Sequence, residues 1–302
     1  MLAVNVRWPA VFHSVLGSSP VSALMQVSAS TTYSLAAVLA WGTSDFLGGF
    51  FTRRINAFLF TAIVNCGGLT MMLAIAWATH APLPSLHSAA WALAGGISGG
   101  ASLALFYRAL ASGRMGLAAP VAAVLSAIIP TIFSLLTEGL PGMVRVIGFV
   151  LAVIGLWLIT RPEHGSSPEG IGLAIIAGIG FAGFYLGVRQ AGSASIVWIA
   201  VLTRVGGLLM TAPIALAQRK FSELNAANTV WGLLVGCLDS AGTMVFAIAS
   251  QSGRLDEAVV ISSLYPAITV LLASVVLKER FARWRLVGVL AALAAVPMIA
   301  GK

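Results

Sequence analysis

Runs of about 20 apolar residues, separated by short polar breaks, follow one another along nearly the whole chain. A helix needs roughly 20 such residues to cross the hydrocarbon core of a bilayer, which is about 30 Å thick. Ten segments meet this requirement, at residues 33–52, 57–79, 89–110, 115–136, 142–160, 170–189, 194–217, 229–251, 257–277 and 284–300. The breaks leave no room for a soluble catalytic domain. The pattern therefore predicts an all-α integral membrane protein with ten transmembrane helices.

The composition agrees with a chain embedded in lipid. Of 302 residues, 59% are hydrophobic and 9% are charged, whereas a typical soluble domain has roughly 25% charged residues. The 32 glycines favour close helix packing, which stabilises helix pairs where lipid competes with apolar side chains. The clearest small-residue pairs overlap at Gly95, Gly96, Gly99 and Gly100. The net charge of +8 comes from scattered bases at the ends of apolar runs, which is typical of lipid headgroup contacts rather than nucleic-acid binding.

The sequence carries no recognisable catalytic or metal-binding motif. It has four histidines, His13, His80, His87 and His164. All lie in tails or connections and lack the spacing of metal ligands. No phosphate-cradling loop is present, which excludes an ATP-driven pump within this chain. We therefore expect no catalytic residue, no metal and no cofactor.

Residues 1–31 differ from the rest of the chain. They are only moderately apolar and are interrupted by Pro9, Gly17 and Pro20. A secretory signal is the alternative interpretation, because Arg7 precedes a short apolar stretch, but that stretch is weak. We predict a poorly ordered N-terminal tail without a functional role.

An internal repeat is the most specific feature of the sequence. A displacement of 140 residues superposes Trp91 on Trp231 and the Ser-Gly-Arg motif at 112–114 on the same motif at 252–254. Displacements of 138 and 139 align the first two segments of the halves. Shared Ala, Gly and Leu content would not place Trp and Ser-Gly-Arg in register at one nearly constant offset. The chain is therefore a duplication.

The duplication predicts two five-helix repeats, at 32–161 and 170–301. Because five is an odd number, directly joined repeats enter the membrane from opposite sides. Inverted repeats of this kind are the design of many secondary transporters, whose substrate site lies near the midplane between the halves. Such a design predicts alternating access.

Three stretches carry a resemblance to a known family. They are Trp41-Gly42-Thr43-Ser44-Asp45-Phe46, the run from Ser112-Gly113-Arg114 through Pro130 to Glu138, and the run from Ser252-Gly253-Arg254 through Tyr265-Pro266 to Lys278-Glu279-Arg280. Over about residues 32–301, the chain resembles the drug/metabolite transporter superfamily in its ten-helix form with two EamA domains. The resemblance implies a carrier rather than an enzyme. Similar carriers transport amino acids, drugs, sugars and nucleotide sugars.

Three charged residues lie deep inside apolar segments: Asp45, Arg204 and Asp239. A charge at the bilayer centre costs roughly 2.5–3.5 kcal/mol on insertion scales, so such residues usually face a protein interior and mark a functional site. An arginine is always protonated and demands a partner. We therefore predict that one aspartate pairs with Arg204, while the other is free to take up and release a proton. The alternative is a purely structural ion pair in a facilitated carrier without proton coupling.

Comparison of the two repeats strengthens the prediction that these positions are functional. Asp45 corresponds to Gly183, Arg204 to Asn65 and Asp239 to Gly99, so the charges lie where the halves differ. An asymmetric substrate requires asymmetric contacts. We therefore predict a substrate site that also includes two aromatic residues. Its predicted members are Trp41, Asp45, Arg204, Asp239 and Tyr265.

The leading interpretation is a secondary transporter of a small metabolite or drug, with proton coupling left open. A membrane-embedded enzyme and a non-transporting receptor remain as alternatives. The expected partners are a small-molecule substrate and the lipid bilayer, with a homodimer left open and no role for nucleic acid. The expected location is the cell membrane, as a multi-pass protein, which in a Gram-negative bacterium is the inner membrane. The count of basic residues in the loops predicts external termini, whereas the family resemblance implies cytoplasmic termini.

Overall fold

The computed structural model describes residues 29–111, 115–160, 171–193, 195–276 and 283–300. Within these residues the chain folds into eleven α-helices and one short 3-10 helix, Phe221–Glu223. In chain order the α-helices are α1 (Ala29–Phe51), α2 (Ala57–Ala78), α3 (Leu86–Ala111), α4 (Met115–Glu138), α5 (Met143–Thr160), α6 (Ile171–Ala191), α7 (Ile196–Gln218), α8 (Ala226–Ser252), α9 (Leu255–Ser262), α10 (Tyr265–Val276) and α11 (Arg283–Ala300). The described residues contain no β-strand.

Helices cover each of the ten segments that the sequence predicts, with ends that agree within four residues. Among the described residues, six helical stretches are long and apolar enough to cross a membrane by length and composition. They are α2, α3, α7, α8, residues Gly172–Ala191 of α6, and the stretch Leu255–Val276 that α9 and α10 form together. Two shorter apolar stretches lie at Ala122–Glu138 in α4 and Met143–Leu158 in α5.

The ninth predicted segment, 257–277, is divided rather than continuous. Helix α9 ends at Ser262, residues Ser263 and Leu264 form a turn, and α10 begins at Tyr265. Pro266 is the second residue of α10, a position at which its missing N–H is tolerated but from which it cannot continue the hydrogen bonds of α9. The repeat-related helix α4 is continuous and has Ser126 at the equivalent position. The proline therefore explains why only the second repeat has the break.

The predicted N-terminal tail lies outside the described residues, except for its last three positions. Helix α1 begins at Ala29, and both Ser30 and Thr31 are buried. Thr31 Oγ1 donates a hydrogen bond to Glu257 Oε1 at 2.7 Å. The first helix therefore starts before the predicted repeat boundary at residue 32, because these residues already pack against α9.

The two halves of the chain pack mainly against each other rather than within themselves. Helix α3 packs against α6 and α7, α8 packs against α1 and α2, and α4 packs against α6. Helix α1 also contacts α9 and α10, while α2 contacts α7 and α5 contacts α11. When each helix is replaced by its counterpart in the other half, every contacting pair becomes either another pair of this set or the same pair. The packing therefore has a two-fold pattern, in which every helix of the first half is held by helices of the second.

Glycines allow two of these crossings to bring backbones into direct contact. A Cβ atom on Gly236 of α8 would overlap the carbonyl oxygen of Val64 in α2, and one on Gly67 would lie 2.6 Å from Leu233 Cα. Both separations are shorter than those that real Cβ atoms adopt. A side chain at either position would therefore push α2 and α8 apart.

The second crossing, between α3 and α7, repeats the first. A Cβ atom on Gly96 would lie 2.6 Å from Thr203 Cα, and one on Gly206 would lie 2.8 Å from the backbone nitrogen of Ile97. Gly96 and Gly206 are the repeat counterparts of Gly236 and Gly67. Close approach of this kind is how membrane helices gain packing energy, and the duplication has kept it at both crossings.

The substitution Gly236→Ala tests the importance of this contact. We expect a loss of about 1–3 kcal/mol in the free energy of unfolding, because the methyl group forces α2 and α8 apart. Gly172→Ala is the matched control, since Gly172 lies in α6 and a Cβ atom there has open space around it. Thermal unfolding in detergent measures both variants. Equal transition temperatures for the two variants would contradict the packing assignment.

Candidate functional site

A cavity of about 60 Å³ lies where helices from both halves meet. Its walls include α1, α2, α3, α6, α7, α8 and the start of α10. All five residues that the sequence predicts for the substrate site line it: Trp41, Asp45, Arg204, Asp239 and Tyr265. Each of them is at most 7% exposed. The structure therefore brings together residues that are separated by up to 224 positions in the sequence (265 − 41).

The strongest electrostatic contact in the cavity joins α7 to α8. Arg204 Nη1 donates to Asp239 Oδ2, and Arg204 Nη2 donates to Thr243 Oγ1. Asp239 and Thr243 are one turn apart on α8, and Thr243 Oγ1 also donates to the Asp239 carbonyl oxygen at 3.1 Å. This contact confirms the prediction that one of the two aspartates pairs with Arg204. Because the pair is buried, loss of either partner leaves an uncompensated charge.

Asp45 is the second carboxylate of the cavity. It lies one helical turn after Trp41 on α1 and is 6% exposed. Among the described residues, no side chain donates a hydrogen bond to its carboxylate or forms an ion pair with it. Arg204, the cation of this cavity, is instead held by Asp239 and Thr243. Asp45 therefore faces the cavity without a compensating charge.

Aromatic rings form one wall of the cavity. The ring of Trp41 lies 6.1 Å from Phe184, 5.9 Å from Tyr185 and 5.4 Å from Phe246, measured between ring centroids. Trp41 Nε1 donates to the Asp239 carbonyl oxygen at 3.2 Å, which fixes the indole between α1 and α8. The hydroxyl of Tyr265 is buried and has no hydrogen-bond partner among the described residues. The wall is therefore apolar, with one unused hydroxyl at its edge.

The cavity lies on the axis of the two-fold pattern. The polar group formed by Arg204, Asp239 and Thr243 has the repeat counterparts Asn65, Gly99 and Leu103. All six residues line the same cavity. Equivalent positions of the two halves therefore face each other across it, and among these six residues only those of the second half are charged.

Sequence reasoning missed several residues of this cavity. Phe181, Phe184 and Thr203 line it without carrying a charge or a motif. The repeat offered a signal that could have found others, because Asn65 and Gly99 are counterparts of predicted charged residues. Phe184 is likewise the counterpart of Phe46 at an offset of 138, but a conserved aromatic pair does not by itself distinguish a cavity from a packed core.

A polar network joins the two halves at the end of the bundle where α4, α6 and α8 terminate. Arg189 of α6 pairs with Glu138 of α4 at 3.1 Å and donates to the carbonyl oxygens of Ser250 and Gly253 at the end of α8. Arg254 donates to the carbonyl oxygen of Glu138 at 3.1 Å. These contacts close the space between α4, α6 and α8.

The same network continues to α1 and α9. Arg254 Nη2 pairs with Asp256 at 3.0 Å, and its hydrogen bonds to that carboxylate raise the pKa of Arg254, although partial burial acts in the opposite direction. Glu257, the next residue, accepts the hydrogen bond from Thr31 of α1. We refer to Thr31, Glu138, Arg189, Arg254, Asp256 and Glu257 as the end network. It connects the first half to the second through four helices.

The opposite end of the bundle contains a pocket that is larger than the central cavity. A pocket of about 330 Å³ lies between the end of α1, the start of α2 and the ends of α3 and α7. Its lining includes the polar residues Thr52, Asn56, Arg108 and Gln218. The two ends of the bundle therefore differ, because charged pairs from both halves close one of them.

The described residues contain no group of three or more His, Cys, Asp or Glu side chains that could hold a metal ion. His80 lies in the connection between α2 and α3, and His87 is the second residue of α3 rather than part of a connection, while His13 and His164 lie outside the described residues. The charged groups of the cavity comprise two acids and one base.

Comparison with known proteins identifies the family. The sequence profile of the EamA-like transporter family matches residues 29–161 and matches again at residues 168–301. The chain belongs to the EamA-like transporter family. It therefore carries the family domain twice, which confirms the internal repeat, and it is a multi-pass membrane protein of a family of drug/metabolite-type transporters rather than enzymes.

Solved structures support the same fold. A crystal structure described only as "Crystal structure of protein" is similar to this EamA-like chain with a TM-score of 0.73 at 16% sequence identity. The match covers 90% of this chain and 96% of the other. No curated protein sequence matches the chain. At this identity the similarity establishes the fold alone.

The ion pair and the unpaired aspartate have opposite expected effects on stability. Asp239→Asn leaves the buried Arg204 charge uncompensated, so we expect a loss of about 3–5 kcal/mol in the free energy of unfolding. Asp45→Asn removes a buried charge that has no partner, so we expect no loss. Thermal unfolding of both variants in detergent measures the difference.

A double variant separates the charge from the packing. Arg204→Met combined with Asp239→Leu removes both charges, so it should be clearly more stable than Asp239→Asn alone. If Asp45→Asn were as unstable as Asp239→Asn, Asp45 would have a structural partner and the assignment would be wrong.

Proposed function

We propose that this EamA-like protein is a secondary transporter that moves a small metabolite or drug across the cell membrane by alternating access. In this proposal ten helices cross the bilayer as two inverted five-helix repeats, 32–161 and 170–301. If the source is a Gram-negative bacterium, the membrane is the inner one. The observation that carries the proposal is the buried, charged cavity between the two halves, because a binding site at this position becomes accessible from either side when the halves move.

The cavity volume indicates which state the protein occupies. Small-molecule sites usually measure about 300–1,000 Å³, whereas this cavity measures about 60 Å³. A substrate larger than a few water molecules therefore requires the halves to separate. In this proposal the cavity is contracted in the present conformation, and the end network holds one exit closed.

The end network is the proposed gate for that exit. Its pairs join residues of opposite halves, such as Glu138 with Arg189 and Thr31 with Glu257. Opening this end requires breaking them. The Arg189–Glu138 pair is partly exposed, with side-chain exposures of 26% for Arg189 and 22% for Glu138, so this pair is weak enough to break during a transport cycle.

The substitution Arg189→Gln tests the gate. It removes the charge that binds Glu138 and the ends of α8, so we expect hydrogen exchange of the α9 amides (Leu255–Ser262) to become about two- to fivefold faster. Hydrogen–deuterium exchange with mass spectrometry measures this rate. Arg53→Gln is the control, because Arg53 is exposed in the connection between α1 and α2, at the other end of the bundle. Unchanged exchange in α9 would rule out a gate at Arg189.

Asp45 is the proposed coupling group. Burial without a compensating cation favours the protonated, neutral carboxyl, and access to water on alternate sides allows the proton to be exchanged. The charged and titratable groups around Asp45 are Arg204, Asp239, Tyr107, Tyr185 and Tyr265. Asp239 is held by Arg204, so Asp45 is the better candidate of the two acids.

Reconstitution into liposomes tests both transport and coupling. We expect an imposed pH gradient to drive flux of at least one compound in a radiolabelled panel of amino acids, sugars and cationic drugs. Asp45→Asn should abolish the response to the gradient, because its amide cannot carry a proton. Asp45→Glu, which keeps a carboxylate, should retain it. A full response in Asp45→Asn would show that Asp45 is not the coupling group, and absence of flux for every compound would contradict the transporter proposal.

A further inference from the structure

The unpaired carboxylate of Asp45 defines the charge of the cavity. Asp45 and Asp239 contribute two negative charges, and Arg204 contributes one positive charge. Two nitrogens of the guanidinium already have partners, since Nη1 donates to Asp239 and Nη2 donates to Thr243, while Nε is buried and has no hydrogen-bond partner among the described residues. When Asp45 is ionised, the cavity therefore has a net charge of −1 that no described side chain compensates. A buried charge is stable only when it is paired, so Asp45 is either protonated or paired with a cation from outside the protein.

The surroundings of Asp45 are suited to an organic cation. Trp41 lies one turn before Asp45 on the same helix, and both side chains line the cavity. The faces of aromatic rings attract ammonium groups, most strongly in the case of Trp. The buried Tyr265 hydroxyl has no partner among the described residues and can accept a hydrogen bond from an N–H group. Together the carboxylate, the ring face and the hydroxyl offer a protonated amine an ion pair, a cation–π contact and a hydrogen bond.

The other residues of the cavity indicate which charge and polarity a ligand should have. Phe181 and Phe184 of α6 and Leu103 of α3 supply apolar surface beside the charged groups. An anion would meet the uncompensated carboxylate of Asp45 and would find only the Nε of Arg204 unpaired, because Asp239 and Thr243 hold Nη1 and Nη2. A sugar could donate hydroxyl hydrogen bonds to Asp45, but it would bring no cation to the ring faces and no opposite charge to the carboxylate. The cavity therefore favours a positive ligand with an apolar body.

We propose that the substrates are small organic monocations, in which a protonated amine binds Asp45 against Trp41 and an apolar group lies on the aromatic wall. This inference rests on the proposed transport function in using the same cavity. It deepens that function by specifying the charge of the substrate. In the transport cycle the carboxylate of Asp45 is then neutralised either by a proton or by the substrate amine.

A set of four probes with a shared phenyl group tests the charge preference. Phenethylamine is a cation, 2-phenylethanol is neutral, 3-phenylpropanoate is an anion, and phenylalanine is a zwitterion. Titration calorimetry on the detergent-purified full chain measures binding of each without requiring transport. We expect phenethylamine to bind at least about 30-fold more tightly than the other three. Equal binding of the alcohol, or tighter binding of the anion or the zwitterion, overturns the proposal.

Variants at two positions assign the binding to the site. Asp45→Asn should weaken phenethylamine binding at least about 30-fold, and the thermal transition shows whether the variant is folded. Asp45→Glu should retain part of the affinity, since it keeps the charge. Trp41→Phe should bind more tightly than Trp41→Leu, because only the former keeps a ring face. Unchanged phenethylamine affinity in Asp45→Asn places the amine elsewhere and overturns the proposal.

The binding and transport measurements fail independently. Amine binding without any liposome flux contradicts the transporter function but supports the cation site. Flux of neutral or zwitterionic compounds without amine binding supports transport and overturns the cation site.

Discussion

The direct contact between glycine backbones of opposite halves is the constraint on which the rest of the protein depends. It brings α2 against α8 and α3 against α7 closely enough to form a small central cavity. The same glycines also make space for polar side chains, since a Cβ atom on Gly68 would lie 3.1 Å from Arg204 Cδ, and one on Gly207 would lie 2.9 Å from Asn65 Cγ. Gly68 and Gly207 are repeat counterparts. The site therefore exists because small residues were retained at equivalent positions of both halves.

The chemical character of the cavity arises from the lining positions at which the two halves differ. A symmetric pair of repeats would place identical side chains on both walls of the central cavity. Here the second half supplies Arg204, Asp239 and Thr243, while the first half supplies Asn65 and Leu103 at equivalent positions. Asp45 adds a charge from the first half. The cavity therefore has three parts. Arg204, Asp239 and Thr243 form a polar wall whose members bind one another, Asp45 is a carboxylate without such a partner, and an aromatic surface lies beside both.

The sequence predicted the helices well because hydropathy and bilayer thickness determine their lengths directly. The five residues that it predicted for the site also lie among the fifteen that line the cavity. The three charged ones could be identified because a charge within an apolar segment must face the interior. The sequence did not predict that Arg189 would reach Glu138, because that pair depends on which helix ends meet in space. The break at Ser263 was missed for a related reason. A proline such as Pro266 is compatible with either a kink or a continuous membrane helix, and tertiary contacts decide between them.

The interlocking of the halves has a consequence for the synthesis of the chain. Helix α3 packs mainly against α6 and α7, and α2 packs mainly against α7 and α8. When the ribosome has completed α5, the glycine faces of α2 and α3 still lack their protein partners and contact lipid instead. The helices of the first repeat are therefore only loosely associated at this stage. Their packing is completed when the second repeat has been inserted. The two domains are separate in sequence but become stable as one cooperative unit.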